Sequence, residues 1–144
     1  MSQTDHSKPN NNDKMEEAGQ LFKYLSGTSA SRKTLCGLYA GFSLSSLIFM
    51  ISISQNLAIY QSTLIALLLT SAFFLFIFAS RNFYKIEEKT YRIMQSHKKS
   101  SEIFQYLSEL DLKNKKTSKM LSAGQIILLL TAIFFLLAFT LSNL

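Results

Sequence analysis

The stretch Thr34–Ser80 reads TLCGLYAGFSLSSLIFMISISQNLAIYQSTLIALLLTSAFFLFIFAS and contains no Asp, Glu, Lys, Arg or His. Within it, Leu35–Ile53 and Leu57–Ala79 are apolar runs of 19 and 23 residues, parted only by Ser54-Gln55-Asn56. A charge at the centre of a bilayer costs about 2.5–3.5 kcal/mol on insertion scales. A hydrocarbon core about 30 Å thick is crossed by about 20 helical residues. Each run is long enough and free enough of charge to cross once. The three polar residues between them suit a tight turn at the far interface, and Tyr60 just beyond is placed like an interfacial aromatic. The stretch predicts a transmembrane hairpin.

Working outward, a third run, Leu121–Leu141, spans 21 residues and is followed by the uncharged Ser142-Asn143-Leu144. All fifteen Lys/Arg and all nine Asp/Glu lie in Met1–Lys33 and Arg81–Met120. Buried helices of soluble proteins seldom run so long without a polar face, and the remaining chain is too short to cover three of them. The expected fold is all-α: a polytopic membrane protein with three transmembrane helices, a tight hairpin plus a C-terminal span, and a cytoplasmic amphipathic helical hairpin.

Five basic residues precede the first span and ten lie between the second and third, whereas the short loop and the tail hold none. The positive-inside rule then puts both charged segments in the cytoplasm. Residues 1–33 form a cytoplasmic N-terminal segment, 34–80 the hairpin, 81–120 a basic cytoplasmic segment, 121–141 the last span, and 142–144 a non-cytoplasmic tail. No cleavable signal is expected, because the first apolar run starts too late. The single cysteine, Cys36, excludes an intramolecular disulfide and reads as a small apolar residue at a helix interface.

Helices associate in lipid through close packing of small residues. Gly37, Gly41 and Ser45 recur every four residues on the first span, and Ala58, Ser62, Ala66 and Thr70 on the second. A turn centred near Gln55 sets Gly41 opposite Thr70 and Ser45 opposite Ala66, so the two stripes are expected to face each other. Gln125 is the only strongly polar side chain of the third span; it either bonds to the hairpin or reaches the headgroups.

In the cytoplasmic parts, residues 1–14 are polar and read as disordered. Met15, Ala18, Leu21, Phe22 and Leu25 recur at helical spacing, which predicts a short amphipathic helix over 15–25 resting on the headgroups, with Asp13 and Glu16 as a capping arrangement. Ser26–Ser31, with Gly27, reads as a flexible link. Beyond the second span no Gly or Pro intervenes, so that helix is expected to continue to His97. Its basic stripe (Arg81, Lys85, Lys89, Arg92) opposes an apolar arc that includes Phe83, Ile86 and Ile93. After a break at His97–Ser101, with a serine as N-cap, Ile103, Leu107 and Leu110 line one arc of a second amphipathic helix. Phe83, Ile86, Ile93, Ile103, Leu107 and Leu110 are the candidate partner-docking residues. Arg81, Lys85, Lys89, Arg92, Lys113, Lys115, Lys116 and Lys119 are the candidate contacts to an anionic leaflet. Glu88 and Arg92 have the spacing of a favourable pair.

Catalytic chemistry finds no foothold. No span carries a titratable acid, base or histidine of the kind that marks proton or ion pathways. His6 and His97 lie far apart, and with one cysteine no zinc ligand set arises. No phosphate-cradling or nucleophile-elbow motif is present. An enzyme, a cofactor, a metal, a small-molecule substrate and a nucleic-acid partner are all unexpected; membrane lipids, other membrane proteins and further copies of the chain are the expected partners.

The short-loop hairpin with its basic, aromatic exit (Phe78-Ala79-Ser80-Arg81-Asn82-Phe83-Tyr84-Lys85-Ile86) resembles two groups in layout. One is the small inner-membrane accessory proteins of type IVB secretion and conjugation systems. The other is the bilobed-hairpin proteins that intracellular bacteria place in the membrane around their vacuole. The first likeness implies a non-catalytic subunit or assembly factor in a bacterial inner membrane. The second implies a secreted effector in a host intracellular membrane. A small oligomeric channel, using Ser43, Ser45, Ser46 and Ser52, is a third expectation.

Overall fold

The computed structural model describes residues 11–53, 58–96 and 100–142. These form three α-helices, α1 (Asn11–Ile53), α2 (Ile59–Met94) and α3 (Ser100–Ser142). With 43, 36 and 43 residues, they run about 65, 54 and 65 Å at 1.5 Å per residue. Short connections make neighbours antiparallel. The helix α2 packs on both others, and the α1–α3 seam is the loosest.

The helices are unbroken because nothing in them interrupts the ladder. The single proline, Pro9, precedes all three, and no described residue, glycine included, has a positive φ. At its start α2 is capped by Gln61, whose Oε1 accepts the Ala58 N–H at 3.3 Å. Each helix holds an apolar window long enough to cross a bilayer. At most 28% of any such window is buried inside the protein. The remainder, including Leu38, Phe42, Ile48, Leu67, Phe74, Leu129 and Leu136, faces outward as a skin far larger than the few hundred Å² that water-soluble monomers expose. The protein is an all-helical bundle of three potential spans.

What holds the rod together is a seam with alternating three- and four-residue spacing. On α2 the buried residues are Ile65, Leu69, Ala72, Phe76, Ala79, Phe83, Ile86 and Thr90. On α3 the seam runs through Ile103, Leu107, Leu110, Asn114, Thr117, Leu121, Gly124, Leu128, Thr131, Phe135 and Ala138, with Leu128 and Phe135 half-buried. A mean spacing of 3.5 is that of a left-handed coiled coil. The repeat passes from charged chain into apolar chain without a change of phase. Three apolar cores stack along it: Ala18, Leu25, Ile103, Leu107 and Leu110 at the charged end; Cys36, Ala40, Ala72, Phe76, Ala79, Phe83, Ile86 and Leu121 in the middle; Met50, Ile65, Leu69 and Ala138 at the far end.

Two expectations are corrected, and one close contact is new. First, Ser26–Ser31 is not a link: it lies inside α1, because Leu25, Ser29 and Cys36 continue the buried stripe through it. Residues 15–25 are accordingly part of a longer helix that begins at Asn11 and packs on α2 and α3 through Ala18, Leu21, Phe22 and Leu25. Second, Gly37, Gly41 and Ser45 point outward, and a Cβ on either glycine would meet nothing within 4 Å. The neighbouring stripe of Cys36, Ala40 and Ser43 is the one buried. On α2, Ala58 is exposed and Ser62, Ala66 and Thr70 are half-buried beside the true seam. The close-approach glycine is Gly124, where an added Cβ would lie 2.7 Å from Phe76 Cε1. The expected turn at Gln55, the expected break at His97, and residues 1–10 lie outside the described residues.

Candidate functional site

The charged end of the rod is where three helices bring together side chains that the rest of the chain lacks. Its interior has a polar layer between the first and second cores. The fully buried Asn114 accepts from Arg32 Nη1 at 3.5 Å and donates to Thr28 Oγ1 at 3.4 Å. Thr90, also buried, donates to the Ile86 carbonyl at 2.7 Å. Ser29 Oγ and Asp111 Oδ1 are buried and have no hydrogen-bond partner among the described residues. Asn114 was not among the expected functional residues, because in Lys113-Asn114-Lys115-Lys116 it reads as one more polar surface residue. Only its heptad position, seven before Leu121 and seven after Leu107, marks it as internal.

The six candidate docking residues are taken up by the chain itself. Phe83, Ile86, Ile103, Leu107 and Leu110 are buried and Ile93 is half-buried. The two apolar arcs close on each other with α1 as a third wall, which the sequence reading placed on the membrane surface instead. The outer face of this head is marked by tyrosines. Tyr84 and Tyr91 stand seven residues apart on α2, 56% and 48% exposed. Tyr91 packs edge-on against Phe22, with ring centroids 5.5 Å apart. Lys33 lies 5.8 Å from the Tyr84 ring centre and pairs with Glu87 at 2.5 Å, tying α1 to α2 at the level where the apolar runs begin.

All eight candidate lipid-contact cations are exposed, but they divide. Arg92 is bound to Glu88 at 2.6 Å, the pair expected from their spacing. Lys115 is bound to Asp111 at 2.7 Å, and that hydrogen bond and charge raise the Lys115 pKa above its usual value of 10.5. Lys85 and Lys89 of α2 and Lys113 and Lys116 of α3 line one groove of about 330 Å³, together with Asn82 and Thr117, over a floor that includes Ile86, Leu110 and Met120. No acidic residue lines it. Lys115, Lys116 and Lys119 also border a wider recess between α1 and α3 with Arg32 and Tyr24. Arg81 lines neither.

In the apolar half, a recess of about 210 Å³ opens at the loose α1–α3 seam, lined by Phe42, Ser46, Met50, Leu128, Thr131 and Phe135 among others. The first-span serines do not align along one wall. Ser43 is buried and donates to the Tyr39 carbonyl, Ser52 donates to the Ile48 carbonyl, and Ser45 is exposed on another side. Gln125 is half-buried and makes no hydrogen bond among the described residues. Compared with known proteins, the chain matches no family model, no curated protein and no solved structure. Those comparisons add nothing to the resemblance drawn from the hairpin layout.

Proposed function

We propose that the protein is a non-catalytic integral membrane subunit or assembly factor of a larger membrane complex, holding a rigid helical head at the cytoplasmic surface. The observation that carries this reading is the continuity of all three helices from the apolar half into the head. A head joined by three uninterrupted helices cannot swivel on its anchor, so whatever binds it is held at a fixed height and angle to the bilayer. The Lys/Arg distribution supports a cytoplasmic head. The head's own apolar arcs are closed, which leaves the Tyr84–Tyr91 face, bordered by Glu87, Glu88 and Arg92, as the surface for another membrane protein. Exposed tyrosines suit that task, since they bring apolar area with a polar tip.

A photo-crosslinking residue placed at Tyr84 or Tyr91 in native membranes tests this, with Phe83 as the buried control. The proposal expects crosslinks to a second polypeptide from 84 and 91 and none from 83. A chain that yields no heterologous crosslink and purifies as a lone monomer contradicts it.

A further inference from the structure

The four lysines that line the groove between α2 and α3 make no ion pair that holds the bundle together. None of the three ion pairs among the described residues involves Lys85, Lys89, Lys113 or Lys116. Four like charges lining one groove on two neighbouring helices repel one another, and an anion seated among them relieves that repulsion. We propose that this groove is a binding site for the headgroup of a phospholipid that carries two phosphates, and that such a lipid occupies it as a specific ligand rather than as part of a diffuse charge cloud. This rests on the reading that the apolar half lies in a bilayer with the head at its cytoplasmic surface.

Depth favours a lipid over a soluble anion. Asn82 on α2 and Met120 on α3 close the groove at the apolar end, three residues past Ala79 and one before Leu121. From Asn82 to Lys89 the groove rises about 10 Å, against a headgroup layer about 5–8 Å thick on each side of the hydrocarbon core. At 1.5 Å per residue from Ala79 and Leu121, Lys116 and Lys85 stand about 8–9 Å up, at the outer edge of that layer, and Lys113 and Lys89 about 12 and 15 Å up, from where long Lys side chains reach down toward it. Helical periodicity carries the same face into the span through Leu75 and Phe78 of α2 and Ile127 of α3. Phe78 is exposed and the other two are half-buried, which leaves acyl chains an apolar track leading down from the headgroup. A volume of about 330 Å³ falls within the range of small-ligand pockets, about 300–1,000 Å³. A lone phosphodiester brings one negative charge to four ammonium groups, whereas a diphosphate headgroup brings two and spans both helices. Asn82 and Thr117 supply neutral donors for the remaining phosphate oxygens.

The test is lipid retention by the full chain in nanodiscs, read by native mass spectrometry. Diphosphatidylglycerol is supplied at half the mole fraction of phosphatidylglycerol, so that surface charge is matched, in a phosphatidylcholine background. The proposal expects preferential retention of the diphosphate lipid. That preference should fall roughly 30-fold in Lys85→Gln/Lys113→Gln, taking about a fivefold loss per Lys at a charged surface. It should fall similarly in Lys89→Gln/Lys116→Gln and stay unchanged in Lys14→Gln/Lys23→Gln, with helix content by circular dichroism as the folding control. Equal retention of the two lipids at matched charge overturns the proposal, as does wild-type retention in either groove variant. Displacement of the lipid by inorganic pyrophosphate at comparable concentration reassigns the site to soluble phosphates and also overturns it. Failure of the membrane reading itself gives a separate result: the chain then partitions into the aqueous phase on detergent phase separation.

Discussion

Replacing Gly124 with alanine puts a methyl group into occupied space. The added Cβ would lie 2.7, 2.9 and 3.2 Å from three atoms of the Phe76 ring. That ring is fully buried and cannot simply retreat, because Tyr39 stacks near it with centroids 5.2 Å apart. Overpacking of this kind costs about 1–3 kcal/mol. Alanine's better helix propensity returns up to about 1 kcal/mol. The net expectation is a loss of up to about 2 kcal/mol, centred near about 1 kcal/mol. Gly41→Ala is the matched comparison: nothing lies within 4 Å of its added Cβ, so only the propensity gain remains and stability should hold or rise. Unfolding in mixed micelles, followed by circular dichroism as the denaturing detergent is titrated in, measures both. Adding Phe76→Leu to Gly124→Ala should recover part of the loss, with a coupling of at least about 0.5 kcal/mol. If Gly124→Ala is as stable as the parent while Gly41→Ala is weakened, the helix register described above is wrong.

Other expectations are more local. Lys33→Glu or Glu87→Lys alone should loosen the α1–α2 junction, and the double reversal should restore it; for this partly buried pair the coupling should be about 0.5–1 kcal/mol in a double-mutant cycle. Ser29→Ala removes a buried hydroxyl that has no partner among the described residues, so it should raise stability by up to about 1 kcal/mol in the same titration; a clear loss would mean that the hydroxyl is satisfied. Amide hydrogen exchange should find Ser26–Ser31 as protected as the turns on either side, since α1 runs through them; rapid exchange there would restore the flexible link.

The large features were legible in the sequence because charge and apolarity separate cleanly along it. The three apolar runs stand out against two charged segments, and the second helix's exit from the span was readable because no Gly or Pro follows Ala79 until after the head. The packing register was not legible, and the reason is loss of contrast. In an apolar run nearly every residue is hydrophobic, so the seam through Ile65, Leu69, Ala72 and Phe76 cannot be told from its outward-facing neighbours by hydropathy. The small-residue stripe at Gly37, Gly41 and Ser45 supplied a pattern, but Cys36, Ala40 and Ser43, one or two positions away, are also small and are the ones buried. In the head the difficulty is opposite. The seam there includes Ser29, Thr90, Asn114 and Thr117, whose polarity hides a heptad that otherwise runs from head to span. Gly27 and the serines around it suggested a link for the same reason. Asn114 repays the stability it costs in another way, since a single buried polar residue at a core position of a coiled coil selects one register over its neighbours.

The central claim is that three helices cross the bilayer with every charged segment on one side. Single-cysteine labelling in intact and permeabilised membranes, on a Cys36→Ser background, tests it most directly. The account predicts that Gln55→Cys and Asn143→Cys react with a membrane-impermeant maleimide from one side, and Lys99→Cys and Lys23→Cys only from the other. Labelling of Gln55→Cys and Lys99→Cys from the same side would contradict it.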